Sequence, residues 1–252
     1  MKRTFGLSPI STQYYLAWGV HLFTASGLVA TFIALKAIAD ADWATVMWCL
    51  LAAQFIDGVD GTLARLFKVK EVLPEVSGKY IDYVIDFANY AIVPAYFLFE
   101  AELVSGFWNW VMAIVILLSS ALYYGKEGMV SDDLYFVGFP VMWNMVAFFY
   151  VFVFFWPSWL YFIVAILLAA FQFVPIKFPY PSRTKRWRKP TLLITALSFI
   201  AVIAIVWRYP DRTPFWNIIS IFCLLYFVFF AYVVWSKTYR HSIDQDPSKK
   251  LS

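Results

Sequence analysis

The polar and hydrophobic positions of this chain sort into long apolar runs separated by short charged breaks. Runs of about 20 residues, the length a helix needs to cross a bilayer, lie at 15–38, 43–64, 80–99, 107–125, 137–156, 158–175, 190–208 and 214–236. The pattern predicts an all-α polytopic membrane bundle of eight transmembrane helices with almost no extramembrane domain. Composition agrees, since the 252 residues are 62% hydrophobic, 21% aromatic and only 14% charged, where soluble domains carry about 25% charged residues. No internal repeat, low-complexity tract or linker divides the chain, so residues 1–252 read as a single membrane domain.

Charge then orients the helices, because Lys and Arg collect on the cytoplasmic side. With both termini inside, the cytoplasmic segments hold Lys2, Arg3, Arg65, Lys68, Lys70, Lys79, Lys126, Lys177, Arg183, Lys185, Arg186, Arg188, Lys189, Lys237, Arg240, Lys249 and Lys250. The outside segments hold Lys36, Arg208 and Arg212. Seventeen against three places both termini in the cytoplasm. The net charge of +4 therefore records topology and gives no reason to expect a nucleic-acid partner. The first residues, MKRTFGLSPISTQYY, lack the short apolar region and cleavage site of a signal peptide, so the first helix is expected to be retained. Cys49 and Cys223 lie inside apolar runs and read as inert core thiols.

Against this background four aspartates stand out: Asp57 and Asp60 end one run, and Asp82 and Asp86 begin the next. Each carboxylate at bilayer depth costs on the order of 2.5–3.5 kcal/mol, so four need a compensating partner, and a bound metal is the simplest. In helical geometry Asp57, Asp60, Gly61, Ala64 and Arg65 share one face. Gly78, Asp82 and Asp86, spaced by four, share another. Two facing stripes bring the carboxylates together. Gly58, Gly61 and Gly78 fall among them, although a glycine in a helix interior costs about 0.8–1.0 kcal/mol relative to Ala. Close approach of a substrate or a neighbouring helix is the natural reason. Oxygen-only ligands without Cys or His favour a hard divalent cation such as Mg²⁺, Mn²⁺ or Ca²⁺ over zinc. Arg65 and Lys79 flank the cluster, so it opens toward the cytoplasm.

The pattern D-x2-D-G-x2-A-R-x12-G-x3-D-x3-D over residues 57–86 resembles the signature of the CDP-alcohol phosphotransferases. These are membrane enzymes that join a CDP-linked donor to an alcohol and release CMP. The twelve residues between Arg65 and Gly78 exceed the usual family spacing and resemble its bacterial phosphatidylcholine synthase branch, which condenses choline with CDP-diacylglycerol. HLFTASG at 21–27 and the run around GFPVMWN at 138–144 are similar to that branch as well. The resemblance implies that Asp57, Asp60, Asp82 and Asp86 hold Mn²⁺ or Mg²⁺, with Asp86 also serving as general base. It implies that Gly61, Ala64, Arg65 and Gly78 form the CDP site. A bacterial inner membrane, an active site facing the cytoplasm and a homodimer are implied too.

The quaternary ammonium of choline has no hydrogen to donate, so aromatic faces and carboxylates must hold it. Tyr83, Tyr123 and Trp143, with Glu127 and Asp133, are the candidates, and Tyr90, Tyr124, Tyr135 and Asp132 are further ones. His21 reads either as a nucleotide contact or as a core histidine. Two alternatives stay open: another acceptor (serine, inositol or glycerol 3-phosphate) for the same chemistry, or a cation carrier using intramembrane carboxylates.

Overall fold

The computed structural model describes residues 9–180, 184, 186–211 and 214–245. Lys2, Arg3, Arg183, Lys185, Arg212, Lys249 and Lys250, which entered the charge count, lie outside them. The described chain is mostly helical, as the apolar runs predict, and divides into two compact units, Met1–Ala101 and Glu102–Ser252.

In the first unit α1 (Pro9–Ala25), α2 (Gly27–Ala39), α3 (Trp43–Leu66), the single turn α4 (Val69–Val72) and α5 (Gly78–Phe87) are followed by a π-helical turn (Ala88–Ile92) and α6 (Val93–Glu100). The first apolar run is broken at Ser26, whose hydroxyl donates to the Phe23 carbonyl at 2.6 Å. Gly27 follows, and a Cβ there would stand 2.8 Å from Ile85 Cγ2, so the missing side chain lets α2 close on α5. The start of α3 is set by Asp42, whose carboxylate accepts from the Thr45 amide at 3.1 Å and the Thr45 hydroxyl at 2.6 Å. That satisfies one of the donors a helix N-terminus leaves open. At the other end Lys68 takes a left-handed conformation, φ 50°, and turns the chain into α4. Buried Ala17 and Val20 of α1 pack with Val69 and Leu73, against Leu63, Ala64 and Phe67 at the end of α3. The most extensive seam joins α2 to α3, where buried Ala34, Ala37 and Ala53 let the backbones approach.

The second unit contains α7 (Phe107–Tyr124), β1 (Tyr135–Val137), α8 (Trp143–Phe148) running into a second π-helical turn (Phe149–Val153), α9 (Ser158–Phe171), β2 (Lys177–Pro179), α10 (Arg188–Arg208) and α11 (Pro214–Gln245). β1 and β2 pair antiparallel with Phe136 opposite Phe178, an addition to the all-α expectation that leaves the helical architecture intact.

Among the described residues five helices are long and apolar enough to cross a membrane: Thr12–Ala39 (α1 with α2), Trp43–Leu66, Phe107–Tyr124, Arg188–Arg208 and Pro214–Ser236. Only 28–33% of the most apolar stretch of each is buried inside the protein, so the remaining apolar surface calls for lipid. The other three runs differ for identifiable reasons. Residues 78–100 form one continuous helical path of spanning length, but it carries Lys79, Asp82, Asp86 and Glu100. The run 137–156 is helical only from Trp143 to Val153. There Gly138 has φ +90° and lies against the Gln172 carbonyl, where a Cβ would collide, and Pro140 follows. The run 158–175 stops at Phe171, before Pro175.

Candidate active site

Within the first unit α3 and α5 bring Asp57, Asp82 and Asp86 together, with one carboxylate oxygen from each within 4.8 Å of the others. Asp82 and Asp86 sit one turn apart on α5, as their four-residue spacing requires. The same spacing extends to Gly78 and Tyr90. At 3.6 residues per turn each four-residue step overshoots a full turn by about 40°, so a strictly α-helical segment would carry Tyr90 progressively off the stripe. The wider π-helical turn at Ala88–Ile92 takes up part of that overshoot. The Tyr90 hydroxyl donates to Asp57 Oδ2 at 2.6 Å.

Asp60 lies about 60° around α3 from Asp57, the rotation of a three-residue step, and is turned toward α1. It is 8% exposed, accepts a hydrogen bond from the Thr24 hydroxyl, and lies close enough to Asp57 and Arg65 to feel both charges. The four aspartates thus divide into a triad and a neighbour held by a separate helix.

The three motif glycines differ in purpose. A Cβ at Gly78 would stand 3.3 Å from His21 Cε1, so this glycine lets α1 pack on the start of α5. A Cβ at Gly61 would meet only Arg65 Nη1, at an ordinary 3.5 Å, and one at Gly58 would meet nothing within 4 Å. No described neighbour requires glycine at either position, which leaves that flank of α3 open to a ligand. Arg65 is exposed, its Nη2 donating to Thr62 Oγ1 at 3.1 Å. It borders a groove of about 310 Å³ lined by Ala64, Arg65, Lys68, Lys70 and Glu71, a mostly basic surface suited to phosphate.

HLFTASG supplies three contacts to this site's helices: His21 against Gly78, Thr24 on Asp60 and Gly27 against Ile85. His21 is 5% exposed, and its Nε2 has no hydrogen-bond partner among the described residues. The roles of Thr24 and Tyr90 escaped the sequence reading. The signals were a threonine inside a segment already marked by resemblance and a tyrosine that continues the stripe of four.

Of the choline candidates, Tyr83 belongs to α5, half-buried, with Lys79 Nζ 5.2 Å from its ring centre. Tyr90 lies in the same unit, and Tyr123, Trp143, Glu127 and Asp133 belong to the second. Tyr123 is buried, its hydroxyl without a hydrogen-bond partner among the described residues, and Trp143 is fully buried with Nε1 donating to Ser120 Oγ at 2.9 Å. Glu127 is exposed on the turn after α7. Asp133 accepts from Lys177 Nζ at 2.7 and 2.8 Å and from the Ser131 hydroxyl at 2.6 Å. Desolvation acts to raise its carboxyl, yet the Lys177 ammonium and the Ser131 hydroxyl hold it below the usual carboxylate range. Lys177 Nζ also lies 5.7 Å from the Tyr135 ring centre. A carboxylate and an aromatic face around an ammonium is the chemistry that choline needs, here engaged by a lysine.

No family model matches the chain. It is similar to the phosphatidylcholine synthase of Rhizobium meliloti, with 37% identity over 206 residues, 81% of this chain and 84% of the relative. The phosphatidylcholine synthase of Mesorhizobium japonicum is 40% identical over 181 residues, 72% of this chain and 67% of its own. That of Borreliella burgdorferi is 32% identical over 225 residues, 89% and 95% of the two chains.

Proposed function

This chain belongs to the phosphatidylcholine synthases, a branch of the CDP-alcohol phosphotransferases, and from that membership we propose that it transfers the phosphatidyl group of CDP-diacylglycerol to choline at the aspartates of α3 and α5, releasing CMP. The observation that carries the site is the convergence of Asp57, Asp82 and Asp86, all signature positions, to within 4.8 Å.

The donor set fits a hard divalent cation, since it offers only oxygen and its like charges repel strongly at this separation. Asp57, Asp82 and Asp86, with Asp60 beside them, would hold Mn²⁺ or Mg²⁺. When bound, the ion supplies positive charge against the pyrophosphate and the departing CMP. Gly61 and Ala64 offer the nucleotide a close approach to α3, Gly78 belongs to the same CDP site on α5, and Arg65 pairs with phosphate. Asp86 takes the proton of the choline hydroxyl, because that alcohol is a poor nucleophile until deprotonated. The choline oxygen then bonds to the diacylglycerol-bearing phosphorus as the bond from that phosphorus to the CMP oxygen breaks. The quaternary ammonium calls for an aromatic face and a carboxylate, and within the unit that holds the aspartates Tyr83 supplies such a face.

In this reading the whole chain is one phosphotransferase domain. It crosses a bacterial inner membrane eight times with both termini in the cytoplasm, the site opens to that side, and the enzyme works as a homodimer. The positive-inside asymmetry supports the orientation. Purified protein given CDP-diacylglycerol and Mn²⁺ is to be offered choline, serine, inositol or glycerol 3-phosphate in turn, with CMP release followed. Release with choline alone is expected. Release only with another alcohol would keep the chemistry and reject choline, and ion flux without CMP would favour a carrier.

A further inference from the structure

The oxygen atoms of a metal-binding carboxylate need orienting as well as grouping. A ligand's own hydrogen-bond partner fixes its rotamer and tunes its charge, and loss of such a partner typically weakens metal binding by about 10- to 100-fold. Among the described residues the Tyr90 hydroxyl, from a side chain outside the signature, makes a bond of this kind, donating to Asp57 Oδ2 at 2.6 Å.

Three features make this more than a chance contact. Tyr90 is 8% exposed, so water competes little for its hydroxyl. The two residues are 33 apart in sequence and lie on different helical segments, so the bond ties α3 to the path that carries Asp82 and Asp86. Tyr90 also sits within the Ala88–Ile92 π-helical turn, and that turn is itself anchored. Asn89 Nδ2 donates to the Ile85 carbonyl at 3.1 Å, and Thr31 Oγ1 of α2 donates to Asn89 Oδ1 at 3.0 Å. A π-helical turn at a fixed place is characteristic of functional sites, and here its register sets where the phenol points.

We propose that Tyr90 is the positioning residue for Asp57: its hydroxyl holds one carboxylate oxygen and so fixes the geometry in which Asp57, Asp82 and Asp86 receive a divalent cation. The proposal rests on the reading of Asp57 as a ligand. It also gives Tyr90 a role other than an aromatic face for choline.

The test uses full-length protein in detergent without substrate, with Mn²⁺ alone as the probe and free Mn²⁺ measured by electron paramagnetic resonance. Wild type, Tyr90→Phe and Asp57→Asn are titrated side by side. The proposal expects Asp57→Asn to lose the tight site and Tyr90→Phe to bind Mn²⁺ about 10- to 100-fold more weakly. Tyr90→Phe activity should recover as Mn²⁺ is raised, which damage to the fold would not allow. Replacing Tyr90 with 4-aminophenylalanine, which retains an aromatic ring and a donor, should restore much of the affinity. If Tyr90→Phe fails to fold, 4-fluorophenylalanine at the same position, which fills the space of the hydroxyl but cannot donate, takes its place with the same weakening expected. Wild-type affinity in Tyr90→Phe alongside loss in Asp57→Asn would overturn the positioning role alone. Wild-type affinity in Asp57→Asn would overturn the reading of Asp57 as a ligand, and the proposal with it.

Discussion

Replacing Gly61 with Ala separates a glycine kept for the protein from one kept for a ligand. In the structure the new Cβ would meet only the end of the Arg65 side chain, at 3.5 Å, so folding gains helix propensity of about 0.8–1.0 kcal/mol without a clash. If that face of α3 receives the nucleotide, the same methyl intrudes on substrate, and one extra methyl-sized group in a pocket changes kcat/KM by about 10- to 200-fold. The expected variant is therefore at least as stable as wild type and much less active, with the loss in KM for CDP-diacylglycerol. Gly27→Ala is the control of opposite sign. Its Cβ would fall 2.8 Å from Ile85 Cγ2, an overpacking that costs about 1–3 kcal/mol and displaces the residue beside Asp86. Thermal melts in detergent and initial rates over a range of CDP-diacylglycerol concentrations measure both quantities. A Gly61→Ala protein with unaltered KM would show that this face of α3 does not receive the nucleotide, and one less stable than wild type would show that the glycine is kept for the fold.

Thr24→Val keeps the shape of the α1 side chain but takes a hydrogen-bond donor from the buried Asp60 carboxylate, so a stability loss of about 1–3 kcal/mol is expected in chemical or thermal denaturation. A chelator should abolish CMP release and added Mn²⁺ should restore it, checked in one continuous assay; activity that survives chelation counts against the carboxylate site. Asp133→Asn removes the Lys177 pair. Because the folded Asp133 titrates below its ordinary range, its contribution is present above the usual carboxylate pKa, about 3.9, and disappears as pH falls through the lower folded value. The pair is half-exposed on the aspartate side (53%), so the Tm difference near neutrality should correspond to less than about 1 kcal/mol and should close on acidification.

Periodicity was a good guide where one helix carries the information. Gly78, Asp82 and Asp86 share a stripe because their spacing of four matches the α-helical turn, and Asp57 meets them because α3 contacts the same helical path at its π-helical turn. Asp60 departs from the triad for the same geometric reason, since a step of three turns it toward α1. What escaped was whatever depends on a local break in regularity or on a second helix. The Tyr90 bond requires a π-helical turn, and nothing in ANYAI announces one. The pairing of Thr24 with Asp60 requires knowing which face of α1 meets α3. Hydropathy alone reads 137–156 as one span, although Gly138 at φ +90° and Pro140 keep its first residues out of the helix and the strand at 135–137 pairs with 177–179. Hydropathy likewise passes over the break at Ser26, because every residue around it is compatible with a membrane.

The role proposed for the triad on α3 and α5 is phosphatidyl transfer to choline. Its most direct test is a paired assay of wild type and Asp86→Asn, given CDP-diacylglycerol, saturating Mn²⁺ and labelled choline, with phosphatidylcholine and CMP quantified together. Equal amounts of the two products are expected from wild type, and a fall of about 100- to 10,000-fold in a folded Asp86→Asn protein, the range for loss of a general base. Undiminished, stoichiometric turnover by Asp86→Asn would contradict that role.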